Sequence, residues 1–191
     1  MSDLTQEVLS KLAPSSVQAI AAKLGVDPAQ AQAAIQQAVP LVLGGLARNA
    51  STDAGADALH NAVTDHAGMD IGSVLGSVLG GGGGGGSILG HIFGGNQGQA
   101  AQGLGQASGM GAQNAGQLLA MLAPVIMSVL GNKAQSQGLG AGGLGGMLGQ
   151  ELQNLGQSGH GGLLASVLDQ DGDGKLGLKV GSEFLGSRGR V

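Results

Sequence analysis

The sequence predicts an all-α protein made of small helical hairpins in tandem. Apolar residues recur three and four positions apart, and prolines and glycines stand where such helices would begin and end. The composition agrees with this pattern, since 41 glycines are accompanied by two aromatic residues, Phe93 and Phe184. A core with so few aromatic rings has to be filled mainly by aliphatic side chains and alanine, which favours closely spaced helices.

Residues 1–70 are predicted to form an N-terminal helical domain. Its first helix has leucine and valine on one face and is expected to stop at Pro14. The second helix is expected to end at Gly25, because glycine readily adopts the left-handed conformation that closes a helix. Asp27 and Pro28 are then predicted to cap and to begin a third helix.

Residues 71–98 are predicted to be a glycine-rich linker. No Asp, Glu, Lys or Arg occurs between residues 71 and 132, and residues 80–86 are seven consecutive glycines. Glycine loses more conformational entropy on ordering than any other residue, so such a run is typical of a flexible connection between folded units. The boundary between two domains is therefore expected here.

An internal repeat predicts a second helical hairpin over residues 99–134. When the chain is shifted by 84 positions, the predicted second and third helices align with this segment, and several key positions agree in type: Gly25 with Gly109, Ile35 with Leu119, and Pro40 with Pro124. The Gly-, Gln- and Leu-rich residues 135–160 are expected to form short helices separated by glycines. Disorder is the alternative for that segment, because each glycine weakens a helix by about 1 kcal/mol.

Residues 161–180 contain an EF-hand-like acidic loop. Asp169, Asp171 and Asp173 occupy the first, third and fifth loop positions, and Lys175 would offer its backbone carbonyl at the seventh. Alternating oxygen ligands of this kind suit a hard cation, so calcium is the predicted cofactor. Val180 stands at the twelfth position, where a bidentate carboxylate is expected, and this departure predicts weak affinity.

A plain turn rich in aspartate is the alternative interpretation of this loop, in which the carboxylates only organise the local backbone. The tail that follows, residues 181–191, begins Gly-Ser-Glu-Phe and resembles translated cloning sites, so we interpret it as a vector-derived extension.

The tandem hairpins, the Ala-Pro-Val-Ile-Met segment at 123–127, the Ser-Ile-Leu-Gly-His segment at 87–91 and the terminal acidic loop together resemble a bacterial family, domain of unknown function 937. The resemblance covers roughly residues 1–178 and is most specific over 87–178. It implies an all-helical, cytoplasmic protein without an assigned reaction. Members of the family usually continue past the loop with further acidic residues and a short helix, whereas this chain continues with Lys179, Val180 and Gly181.

Charge and motif content argue against several functional classes. The net charge is −4 and the eight basic residues are scattered, so nucleic acid and anionic lipid are unlikely partners. Residues 16–38 have helix-turn-helix spacing, but the predicted recognition helix carries no Arg or Lys, which makes DNA binding a third choice. There is no nucleophile with a matched base and no cofactor loop, so we do not expect an enzyme.

The sequence therefore predicts a non-catalytic structural or protein-interaction module, with self-association or a protein partner. A calcium-responsive module is the alternative. The start of the chain lacks a secretory pattern, and the apolar run 118–130 is interrupted by Pro124 and is shorter than the ~20 residues that cross a bilayer. A cytoplasmic protein with neither a membrane span nor a small-molecule substrate is expected.

Overall fold

The computed structural model describes residues 3–82 and 84–157, and the ordered elements of this part are all helical. The all-α prediction is confirmed for these residues. The helices, in chain order, are α1 (Asp3–Lys11), α2 (Pro14–Leu24), α3 (Pro28–Asn49), α4 (Asp53–Asp65), α5 (Ile71–Leu79), α6 (Gly85–Phe93), a short 3-10 helix (Gly94–Asn96), α7 (Gln97–Ser108), α8 (Gly111–Gln137) and α9 (Ala141–Gln157).

Two long helices, α3 and α8, lie at the centre of the core. Every residue from Ala38 to Ala47 in α3 and from Met121 to Gly131 in α8 is buried. A helical segment that is enclosed on every side has no solvent face, and this explains why both segments are apolar without a clear periodicity. The surrounding helices contribute aliphatic side chains, and Phe93 adds an aromatic ring.

Each central helix continues through an internal proline, Pro40 in α3 and Pro124 in α8. Proline has no amide hydrogen, so the carbonyls of Gln36 and Ala120, four residues earlier, lose their usual helical partner. The apolar residues on both sides of each proline are buried, and this burial offsets the cost of the missing hydrogen bond.

The third helix begins where the sequence predicted, but it is not capped in the way that the sequence predicted. Pro28 begins α3 as predicted, but the Asp27 side chain makes no capping hydrogen bond, so the predicted cap is wrong. Thr52 and Asp70 do cap helices: the Thr52 side chain accepts a hydrogen bond from the Gly55 amide at 3.1 Å, and that of Asp70 from the Ser73 amide at 3.0 Å.

Helices α5 and α6 occupy most of the segment 71–98 that was predicted to be a linker. Two residues of the glycine run, Gly85 and Gly86, are the first two of α6. Apolar side chains explain the difference, because Val74 and Leu75 in α5 and three residues of α6 are buried in the core: Leu89, Ile92 and Phe93. Burial outweighs the low helix propensity of the neighbouring glycines.

Helices from before and after the glycine run share one hydrophobic core. Helix α3, in the predicted N-terminal domain, packs against α7, α8 and α9, and α2 packs against α5. The enclosed middle of α8 has apolar side chains on all sides, so it can contact both groups of helices at once.

Residues 141–157 form one continuous helix, α9, where the sequence suggested short helices separated by glycines. Leu144, Leu148, Leu152 and Leu155 are buried and lie three or four positions apart on one face. This leucine stripe packs on α3 and α4, and its burial holds together a helix that contains several glycines.

The first helix is attached to later helices by two polar contacts. The Glu151 carboxylate of α9 is 4% exposed and accepts hydrogen bonds from the Thr5 amide at 3.2 Å and the Thr5 hydroxyl at 3.1 Å. Lys133 of α8 forms an ion pair with Glu7 at 2.5 Å. A carboxylate at a helix N-terminus also interacts favourably with the positive end of the helix dipole.

Candidate functional site

The predicted calcium ligands Asp169, Asp171, Asp173 and Lys175 lie outside the residues that the structure describes, as does the tail 181–191. Calcium binding by these four residues therefore stays a prediction from the sequence. Within residues 3–82 and 84–157, no cluster of three or more His, Cys, Asp or Glu side chains could hold a metal ion.

Two histidines lie at α4: His60 is part of the helix, and His66 is the residue that follows its last turn. His66 has its Nδ1 atom 2.8 Å from the Ala62 carbonyl oxygen, which fixes the ring against the end of α4. His60 has a buried Nδ1 atom without a hydrogen-bond partner. The Nδ1 atoms of the two rings thus have different surroundings.

A groove of about 470 Å³ lies between α4 and α6, and we call it the α4–α6 groove. Helix α4 contributes small residues at helical spacing, including Gly55, Ala58 and Ala62. Helix α6 contributes Ile88 and Ile92 to its lining, while Leu46 of α3 and Met127 of α8 belong to the same lining. The interior is therefore largely apolar.

A second cavity, of about 320 Å³, shares Asn49, Thr52, His91 and Ile92 with the lining of this groove. Arg48, which is partly buried, lines this second cavity but not the groove. The Asn49 side-chain amide donates a hydrogen bond of 2.7 Å to the His91 carbonyl, which ties the end of α3 to the end of α6. We call this second cavity the mouth of the groove.

Sequence reasoning did not identify the α4–α6 groove. The spacing of Gly55, Ala58 and Ala62 was a visible signal, because residues three and four apart share a helical face. The opposing wall could not be anticipated, since α6 belongs to a segment interpreted as a linker and lies about thirty residues further along the chain.

A second groove, of about 410 Å³, lies where α1, α2 and α3 meet, and we call it the α1–α3 groove. Leu9, Leu12, Val17 and Ile35 provide apolar lining, and glutamines of α2 and α3 provide polar atoms. This groove is close to the Gln36 carbonyl that Pro40 deprives of its helical partner.

A face without charge covers α7 and the start of α8. Its exposed side chains include five glutamines at positions 99, 102, 106, 113 and 117. The nearest charged residues along the chain are Asp70 and Lys133. The side chains of this glutamine face are themselves uncharged, so their burial in a contact would not remove water from a charge, which lowers the cost of association.

Helix α8 also meets the criteria of length and composition for crossing a membrane. An 18-residue window within Ala112–Gln137 has a mean hydropathy of 1.5, and 78% of this window is buried among the other helices. The central helix of a folded core passes the same test, so this is weak evidence for a span.

Comparison with known proteins gives one result. The family model described as a bacterial protein of unknown function (DUF937) matches residues 6–133, more than half of the chain. No curated protein and no solved structure matches the chain. The match extends from α1 to α8 and ends before both α9 and the acidic loop.

Proposed function

The chain belongs to the bacterial DUF937 family, whose function is unknown, and we propose that this member is a non-catalytic interaction module that associates with copies of itself. The glutamine face is the observation that carries the proposal. Charged residues are depleted at the centres of protein interfaces, and this face has amide side chains that can donate and accept hydrogen bonds across a contact.

The arrangement of these glutamines suits a symmetric contact. Gln99, Gln102 and Gln106 are three and four positions apart and lie on one face of α7. In a two-fold interface the same patch of both copies meets itself, so a donor and acceptor group such as a primary amide is complementary to its own copy. A single charge introduced at the centre of the patch would instead face a like charge.

Substitution of Gln102 tests self-association. We expect the wild-type chain to form a dimer or larger assembly in sedimentation velocity, and Gln102→Glu and Gln102→Lys each to shift it towards the monomer. An equimolar mixture of the two variants should associate again, because opposite charges then meet. Asn61→Glu, at an exposed position of α4, is the matched control and should leave association unchanged. A wild-type chain that stays monomeric at all concentrations would refute the proposal.

A duplication of the α2–α3 pair in the α7–α8 pair is part of this proposal. Three features at the 84-residue shift support it. Helix α2 ends at Leu24 and α7 ends at Ser108, and the residues that follow, Gly25 and Gly109, have φ angles of 66° and 70°. Helices α3 and α8 also contain prolines at matching positions, Pro40 and Pro124. Both glycines adopt the left-handed conformation that side chains disfavour, so the two turns have the same requirement.

The two pairs differ in how closely they pack. A methyl group added at Gly116 of α8 would lie 3.5 Å from the Ala101 side chain of α7, an ordinary contact distance. The equivalent residues in the first pair are the larger Gln32 and Val17, and both line the α1–α3 groove. The matching positions thus belong to a groove lining in the first pair and to a close contact in the second.

Calcium binding through Asp169, Asp171, Asp173 and the Lys175 carbonyl is the second candidate function, and the order of ligands in the sequence favours it. Titration calorimetry should detect heat at submillimolar to millimolar calcium, consistent with a loop that lacks its twelfth ligand. Asp171→Ala should abolish this heat, while Asp65→Ala in α4 should not affect it. Absence of heat from the wild-type chain would exclude the site.

DNA binding through α2 and α3 remains the third prediction, and a cytoplasmic location remains a prediction as well. Lys23, in the last turn of α2, is the basic residue that precedes the predicted recognition helix in the chain, and its side chain donates a hydrogen bond of 3.1 Å to the Leu79 carbonyl. This contact directs Lys23 towards α5, which gives the helix-turn-helix interpretation little additional support.

A further inference from the structure

We propose that the α4–α6 groove binds an anionic amphiphile with a single alkyl chain, with the chain along the groove and the head group in the mouth. This inference is independent of self-association through the glutamine face, because the two surfaces use different residues.

The groove has the size and the lining that an alkyl chain needs. Its volume of about 470 Å³ is within the range of pockets for small organic ligands, about 300–1,000 Å³. Ile88 and Ile92 of α6 face Ala58 and Ala62 of α4, and Met127 lies in the same lining. Methionine adapts its conformation to irregular apolar ligands, which suits a flexible chain.

Small residues keep this space open. Ala56 and Val63 of α4 are buried and lie outside the groove lining, so they hold α4 in place without contributing to the groove. Ala54 and Ala58 are exposed rather than covered by another helix. A larger residue at either position would extend into the volume that an alkyl chain would occupy.

The mouth supplies groups that favour a negative head group. Arg48 can donate several hydrogen bonds in a planar arrangement that matches a carboxylate or phosphate. The N-terminus of α4 begins at the same place, since Thr52 lines both cavities and caps this helix. Neither cavity lining contains an Asp or Glu among the described residues, and Asp53, the first residue of α4, is exposed to solvent outside both linings.

The hydrogen bond between Asn49 and His91 preorganises the mouth. The 2.7 Å hydrogen bond to the His91 carbonyl holds the end of α6 beside Arg48, and Phe93 adds an aromatic wall to the mouth. A head group could therefore bind with little rearrangement of the backbone, which reduces the entropic cost of binding.

Dodecanoate and dodecanol are suitable probes, because they have the same alkyl chain with and without a charge. Calorimetry below the critical micelle concentration should show saturable binding of dodecanoate to the full chain. Amide chemical shifts should change most in residues 55–62 and 88–92. Arg48→Gln should raise the dissociation constant of dodecanoate about tenfold and leave that of dodecanol unchanged, as expected for the loss of one charge-assisted contact.

Two variants of α4 test the location. Ala58→Phe should fill the groove and abolish binding, whereas Asn61→Phe, an equally exposed position outside the lining, should bind like the wild type. Circular dichroism checks that both variants are folded, and the shift changes in the wild-type chain test the site without any substitution.

Three results would overturn the proposal: no heat with dodecanoate, shift changes confined to other helices, or equal binding by the two phenylalanine variants. Vesicles of phosphatidylglycerol distinguish a free amphiphile from a membrane surface. Binding to vesicles without binding of free dodecanoate would also refute the groove as the site.

Discussion

Replacing Gly85 by alanine is expected to lower the free energy of unfolding by about 2–3 kcal/mol, a typical cost of overpacking a closely packed contact. Gly85 lies directly against the Ala120 carbonyl of α8, and an added methyl group would overlap that oxygen. The obstacle is backbone, which cannot turn aside as a flexible side chain can. Pro124 leaves the same carbonyl without its helical amide partner, so α6 packs closely at the point where α8 is interrupted.

Gly86 is the matched control for this substitution. It is the next residue of the same glycine run and of the same helix, and an added methyl group would meet nothing within 4 Å. Gly86→Ala is expected to be neutral or to stabilise the protein by about 0.4–1 kcal/mol, because alanine restricts the unfolded chain. Urea unfolding of both variants measures the difference. Equal stability of the two variants would contradict the close contact between Gly85 of α6 and the Ala120 carbonyl of α8.

Replacing Glu151 by alanine is expected to cost about 2–3 kcal/mol, because a buried carboxylate that accepts hydrogen bonds from the amide and the hydroxyl of Thr5 is removed. The effect should be concentrated in α1, since Glu151 connects this helix to α9. Hydrogen exchange should then show faster exchange in residues 4–12 than in the middle of α8. Thermal or urea unfolding gives the overall loss.

A double-mutant cycle with Thr5→Ala separates this contact from general effects of the substitution. The stability losses of the two single variants should add up to more than the loss of the double variant, because each single change already removes the hydrogen bond between the Thr5 hydroxyl and the Glu151 carboxylate. Gln153→Ala, at an exposed position of α9, is the control and should change stability by less than about 0.5 kcal/mol. Strict additivity would show that the hydroxyl and the carboxylate do not interact.

Several features of the fold could be predicted because they depend on residues close together in sequence. Gly25 ends α2 and Pro28 begins α3, since turn and cap preferences act over a few residues. The family was also recognised from short segments, and the match over residues 6–133 confirms it. The resemblance seen in the sequence is most specific over residues 87–178, whereas the family match ends at residue 133.

Other features could not be predicted, because composition was misleading. The glycine-rich segments were interpreted as a linker and as short helices, yet α5, α6 and α9 form there. Glycine propensity describes the isolated helix, whereas buried leucines such as Leu89 and Leu148 supply the stabilisation in the folded chain. That contribution depends on partners that local sequence does not specify.

The α4–α6 groove shows the same limit for the candidate site. Its small residues on α4 could be found by spacing, but Ile88 and Ile92 become a wall only because both helices pack on α8. The predicted calcium ligands, in contrast, are defined by local order along the chain, and they lie outside the described residues.

By itself the sequence determined the helical class, several helix ends, the family and the long stretch without charge, because each of these is encoded within a short window of residues. Only the tertiary structure decided that Gly85 lies against Ala120 and that Thr5 donates to Glu151, a residue 146 positions away. Close approach and pairing over such separations depend on the positions of whole helices, and burial of aliphatic side chains in a common core sets those positions.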